Sequence, residues 1–280
     1  DNRGNPTVSV DYRSLYASVL GGWLAADASS ILGASYPDLG LFRAKPGGTG
    51  PVTPPATGPW VPFATPTDLV RQQYLDFYGR VGDAGGITYW TTKLTSGSKT
   101  IVAVIDAFLH STEFGRSVAP VARLALACLG GTPLFDDLLA WAAAVKAGTP
   151  LATVAIQVCA KAEFTSRFGG LGHPAFVSQA FQAALGKAPT SAEQTELVAA
   201  LTSGALTRPA LMATLVGRTE SVRRFQAQVE VLMTYAGLLR RRPDASGWTY
   251  WVAKVGSGTS VQRLIAQFFA SSEYRRRFSD

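Results

Sequence analysis

Apolar residues recur at helical spacing from about residue 67 to the end of the chain. Leu69, Tyr74, Leu75 and Tyr78 form one stripe, Trp90 and Leu94 a second, and Val102, Ile105, Phe108 and Leu109 a third. Gly79 follows the first stripe and Gly97 the second, where glycine commonly closes a helix. The order returns near the C-terminus as Leu232, Tyr235, Leu238 and Leu239, then Trp251 and Val255, then Leu264, Phe268 and Phe269. Each set predicts three helices joined by short turns. Nothing in this region alternates with a period of two, so no sheet is expected there.

The sets are copies of one another. Asp83-Ala84-Gly85-Gly86-Ile87-Thr88-Tyr89-Trp90 returns as Asp244-Ala245-Ser246-Gly247-Trp248-Thr249-Tyr250-Trp251. Each run leads to a glycine, Gly97 or Gly258, and then to Ser-x-Glu-aromatic, at Ser111 to Phe114 and Ser271 to Tyr274. Two degenerate copies stand between them, anchored at Trp141 with Gly148 and at Leu197 with Gly204. The expected fold class is therefore all-α, with four degenerate three-helix repeats of about fifty residues. Upstream lie a short mixed piece over residues 1–43 and a Pro/Gly-rich linker over 44–66; the repeats divide into 67–170 and 171–280. In the first piece Thr7 to Val10 predicts an extended segment, and Asp11 caps a helix from Tyr12 to about Leu24. In the linker seven prolines exclude regular structure, and Trp60 and Phe63 are its only large apolar anchors.

The repeated residues read as structure. Asp83 and Asp244 sit where an N-cap is needed. Gly86 and Gly247 allow a close helix approach, and Tyr89-Trp90 and Tyr250-Trp251 are expected to be large buried anchors. Ser111 and Ser271 are second caps, each starting a brief helix whose aromatic residue, Phe114 or Tyr274, folds back on the core. A ligand site made of Asp plus stacking aromatics is the functional alternative, but a lone carboxylate is a poor cation ligand. Glu113 and Glu273 recur with Glu163 and Glu220, yet a general acid needs a partner and a pocket, and no partner is visible beside them. No catalytic, cofactor-binding or metal-ligating set emerges. His110 and His173, the only histidines, have no ligand companions at zinc spacing.

Composition changes this picture only at the edges. With 47% hydrophobic and 16% charged residues over 280 positions, the chain can bury a sizeable core. No apolar run approaches the length of a membrane span. The net charge is +7, and from Val229 to Asp280 eight basic residues face four acidic ones. Arg240, Arg241, Arg242, Arg275, Arg276 and Arg277 supply most of that excess. They are candidate anion-binding residues or, more simply, complements to helix C-termini, since Arg80 and Lys187 occupy the place of Arg241 in other copies. No nucleic-acid motif accompanies them. Cys128 and Cys159 count into core positions of the second copy, Cys159 where Phe108, Leu215 and Phe269 fall. They are a candidate disulfide if the protein is exported.

Two resemblances add to this reading. Tyr78-Gly79-Arg80, Asp83, Gly86, Tyr89-Trp90, Gly97 and Ser111 to Phe114, repeated near the C-terminus, resemble the bacterial domain of unknown function 4214. That family is similar to phycobilisome linker domains and common in secreted and surface proteins, which implies an all-helical fold, an extracytoplasmic or secreted location and a scaffolding or binding role. Val10 to Tyr16, Leu24 and Tyr36 to Phe42 resemble the C-terminal end of the domain of unknown function 1501 family, exported proteins with an alkaline-phosphatase-like or sulfatase-like fold. The chain is thus expected to be a non-catalytic region that binds a protein or cell-envelope component. An anionic polymer is a second partner class; nucleic acid, a cofactor and a membrane span are not expected. The alternative is an accessory region of a hydrolase whose active site lies upstream.

Overall fold

Most of the helices begin at a side chain able to accept a hydrogen bond from a first-turn amide. In the computed structural model, which describes residues 60–278 together with Ser14, Ala17 and Ala34, Thr65 caps α1 (Pro66–Gln73) and Asp83 caps α2 (Ala84–Thr95). Thr100 caps α3 (Ile101–Leu109) and Ser111 caps α4 (Thr112–Leu129). Then follow α5 (Phe135–Lys146), α6 (Leu151–Cys159), α7 (Ala162–Phe168) and α8 (His173–Leu185), which start without such a bond. Thr190 and Thr207 cap α9 (Ser191–Thr202) and α10 (Arg208–Gly217), and α11 (Thr219–Thr234) starts after Arg218. Asp244, Ser260 and Ser271 cap α12 (Ala245–Gly256), α13 (Val261–Ala270) and α14 (Ser272–Arg276). No strand occurs among the described residues, and the fold is all-α. The extended segment and helix expected before residue 25, and most of the linker, lie outside the described residues.

Two helices end in a wider turn. α1 continues as a π-helical turn over Tyr74–Tyr78, and α11 does so over Tyr235–Leu239. The first π turn directs Tyr74, Phe77 and Tyr78 inward and leaves Leu75 exposed, which departs from the simple periodicity. Gly79, Gly130 and Gly186 then reverse the chain with positive φ after α1, α4 and α8. At the matching place after α11 stands Arg240 with φ 52°, a conformation that costs a non-glycine residue about 1 kcal/mol.

The Ser-x-Glu-aromatic motif is not the start of a brief helix in the first copy. Its cap opens the 18-residue α4, which is also the first long helix of the next copy, and α11 serves the third and fourth copies in the same way. These two shared helices pack on one another, and α8 packs on both. α2, α5, α9 and α12 lie against α1, α4, α8 and α11. α6 packs on α10, and α3 packs on α13. Helices from both sides of residue 170 therefore share one core, and Gly58–Ser279 forms a single compact unit rather than two halves. Residues 1–57 belong to a separate unit, of which Ser14 and Ala17 are helical and buried.

The last copy fastens the first. Asp76 in the first π turn has a fully buried side chain, and the Arg277 guanidinium donates to its two oxygens at 2.6 and 3.2 Å. The same guanidinium donates to the carbonyls of Gly237 and Leu238, so one arginine ties both π turns together. Phe63, expected only as a linker anchor, is buried with its ring 4.8 Å from Phe278 and 6.4 Å from Tyr274. Gly237 permits the close crossing, since a Cβ there would come within 2.5 Å of the Phe77 ring. Removing one member of a buried ion pair strands the other, at a cost of about 3–5 kcal/mol. Asp76→Ala is accordingly expected to lower the unfolding free energy by about that amount, measured by urea denaturation.

Candidate functional site

The repeated residues assemble around two tyrosines of the π turns. A Cβ on Gly86 would lie 2.1 Å from the Tyr74 hydroxyl, and one on Gly247 would lie 2.2 Å from the Tyr235 hydroxyl. Each glycine amide also donates to the capping carboxylate, Gly86 to Asp83 at 2.7 Å and Gly247 to Asp244 at 2.8 Å. The middle copies have Ala125 and Phe181 in the tyrosine position and Asp137 and Glu193 in the glycine position. Where the hydroxyl is gone, the glycine is gone with it.

The recurring glutamates do have a recurring partner, in space rather than in sequence. Arg80 grips Glu113 with two hydrogen bonds, 2.9 and 2.6 Å, and Arg241 grips Glu273 at 2.5 and 3.1 Å. Lys187 reaches Glu220 at 2.8 Å. The guanidiniums also lie over the tyrosine rings, 5.1 Å from the Tyr74 centroid and 5.2 Å from that of Tyr235. The sequence signal is a basic residue 32 or 33 positions before these three glutamates. The second copy has Gly131 at the basic position, and Lys161 instead pairs with Asp137 at 2.7 Å. Hydrogen bonding to arginine holds the carboxyls of Glu113 and Glu273 below their ordinary range, and the cap bonds do the same for Asp83 and Asp244. Such groups stay ionised and engaged, the opposite of a poised general acid.

Tyr89 and Tyr250 are not buried anchors. They are 53% and 54% exposed, whereas Trp251 is buried and Trp90 is half-buried against Phe108. Neighbouring helix residues point about 100° apart, so a tryptophan facing the core turns the adjacent tyrosine outward. Each tyrosine stands edge-on to its tryptophan, and Lys93 or Lys254 lies over its ring at 5.4 or 5.7 Å. An exposed tyrosine–lysine pair thus recurs at matching places on α2 and α12. Of the other anchors, Trp141, Phe114 and Tyr274 are buried.

Three further expectations meet the geometry. The six arginines do not form one free cationic surface: Arg277 and Arg240 turn to Asp76, Arg241 holds Glu273, and Arg276 donates to the Ser272 carbonyl. Arg242 and Arg275 are exposed. Cys128 is buried and Cys159 half-buried, both as free thiols. Contact with Cys159, together with burial, pushes the Cys128 thiol well up. The turn into α6 is one residue shorter than the turn into α3, so the core place of Phe108 falls to Val158 and not to Cys159. His110 has two carboxylate companions after all: Nδ1 lies 3.2 Å from Asp106, and Nε2 lies 3.2 Å from Glu230, 120 residues away. Among the described residues no group of three or more His, Cys, Asp and Glu is placed to hold a metal ion. No described helix is long and apolar enough to cross a membrane.

The two segments with the complete tyrosine–glycine–arginine–glutamate arrangement are also those that match a known family. Residues 64–118 and 229–278 are similar to the family described as a domain of unknown function (DUF4214). The residues between them fall outside that match. Neither the curated proteins nor the solved structures yield a match to this chain.

The glycine contacts make a test in two parts. Gly86→Ala forces the new methyl group against Tyr74, an overpacking that costs about 1–3 kcal/mol. Adding Tyr74→Phe should recover most of the loss in chemical denaturation. A second test uses pH. The Glu230 contact holds the His110 pKa at about 9, above the ordinary 6.5. The pair's stabilisation is therefore complete below about pH 6.5 and is lost as pH rises through about 9. Because the imidazole is half exposed, the effect stays under about 1 kcal/mol. His110→Gln should remove this component from the stability profile between about pH 6.5 and about pH 9.

Proposed function

We propose that this chain is a non-catalytic helical binding or scaffolding region that holds a protein or cell-envelope component, in an extracytoplasmic setting. The observation that carries the reading is the pair of exposed tyrosines, Tyr89 and Tyr250, each with a lysine over its ring. The other repeated polar groups are used inside the fold as caps and ion pairs, and their lowered carboxyl pKa values suit structure rather than proton transfer. The tyrosines face solvent, make no repeated internal hydrogen bond, and return only in the two segments that resemble the family. Tyrosine offers a large rigid contact area with a polar tip at low entropic cost, which is why it is enriched at interface centres. Two such points on one compact unit suit a bivalent attachment. The extracytoplasmic location rests on the resemblance to families of secreted and surface proteins.

Co-sedimentation of the purified chain with isolated bacterial envelope tests this reading. The unaltered protein is expected to sediment with the envelope. Tyr89→Ser with Tyr250→Ser should reduce retention at least about tenfold, equivalent to about 1.4 kcal/mol, while leaving the helical circular dichroism unchanged. Equal retention of the double variant, or no retention of the unaltered protein, would contradict it.

A further inference from the structure

A cleft of about 610 Å³ opens where the end of the first π turn, the second turn of α4 and the last turn of α5 meet. Arg80, Arg116 and Lys146 line it with one carboxylate, Glu113, so the walls carry three positive charges against one negative. Lys146 is unusual among them. Its ammonium is buried, lies 3.5 Å from Glu113 Oε1 and makes no hydrogen bond. That oxygen already accepts from Arg80 Nε at 2.9 Å. Arg116 is exposed and makes no ion pair or hydrogen bond among the described residues.

The scaffold does not ask for this ammonium. The matching positions of the other copies hold Thr95, Thr202 and Gly256, and those helices end normally. Tyr78 is likewise particular to this cleft, since Leu129, Leu185 and Leu239 replace it elsewhere, and the Lys146 ammonium lies 5.4 Å from its ring. A buried cation with one ion-pair partner at 3.5 Å and no hydrogen bond is costly unless a closer acceptor meets it. Helix C-termini border the cleft at Gly79 and Ala147 and account for a cation beside each. Arg116, on the second turn of α4, answers to neither.

We propose that this cleft binds an oxyanion, the carboxylate or phosphate group of a ligand. Lys146 and Arg116 are the donors, and the Arg80–Glu113 pair is a rigid rear wall that positions Lys146. The ligand group takes the free N–H bonds of Lys146 and offsets the net charge of the walls. Tyr78 supplies an apolar face beside it.

Amide NMR titration of the intact chain with inorganic phosphate, and separately with acetate, decides the matter. Saturable shifts confined to residues 78–80, 113–117 and 143–147 are expected with at least one of the two, and which one responds identifies the group. Lys146→Met and Arg116→Gln should each weaken binding about tenfold, whereas Arg242→Gln, an exposed arginine elsewhere, should not. Arg116 is unpaired, so its variant keeps the test decisive if the lysine variant misfolds. Shifts that sodium chloride reproduces, shifts scattered over the chain, no saturation with either anion, or equal affinity in Arg116→Gln would overturn the proposal.

Discussion

The contact between Asp76 and Arg277 sets the character of this fold. A carboxylate taken wholly out of water is tolerable only when cationic and hydrogen-bonding partners meet it there. Arg277, Arg240 and Gln72 do so, the arginines from a distant part of the chain and Gln72 from the preceding turn. Burial raises the Asp76 pKa, and the Arg277 hydrogen bonds oppose that shift. Because Asp76 lies in the first copy and Arg240 and Arg277 lie in the last, a string of helical copies becomes a closed body. A solenoid would leave its terminal copies with one neighbour each. Here the two π turns pack on one another and α14 packs on the second of them, with Gly237 and Phe63 as the local adjustments that make the crossing close.

The same closure explains why the outer copies keep the full residue set. Their π turns carry Tyr74 and Tyr235, whose hydroxyls require glycine on the facing helix and whose faces carry an arginine held by glutamate. The central copies pack through the long shared helices, the alanine-rich α4 and the valine-bearing α11, and need neither device. What repeats is therefore a way of joining helices. What fails to repeat, such as Lys146 and Tyr78, marks the individual surface of the molecule.

The helical class, the caps and the spacing of turns are legible in the sequence because they depend on local chemistry: Asp, Ser and Thr before a helix, Gly after one. Partnerships are not legible where they depend on the third dimension. Arg80 and Glu113 are 33 residues apart, and His110 and Glu230 are 120 apart. Tyr89 departs from its expected burial because it shares a helix with Trp90, and one aromatic neighbour facing the core forces the other outward. Cys159 leaves its expected core place through a single missing loop residue, which in a helix moves a side chain by about 100°. The π turns are also hidden, since a stripe of Leu69, Tyr74, Leu75 and Tyr78 looks much the same with or without the extra residue. The Lys146 cleft is hidden for a different reason, because a buried ammonium without a hydrogen bond is defined only by what fails to reach it.

Amide hydrogen exchange on a chain ending at Ala270 tests the closure most directly. Without α14 and Arg277, the amides of Leu69 to Tyr78 are expected to lose protection together while those of α6 and α10 keep theirs. Unchanged protection of Leu69 to Tyr78 in that shortened chain would contradict the closure, because α1 would then be stable without α14.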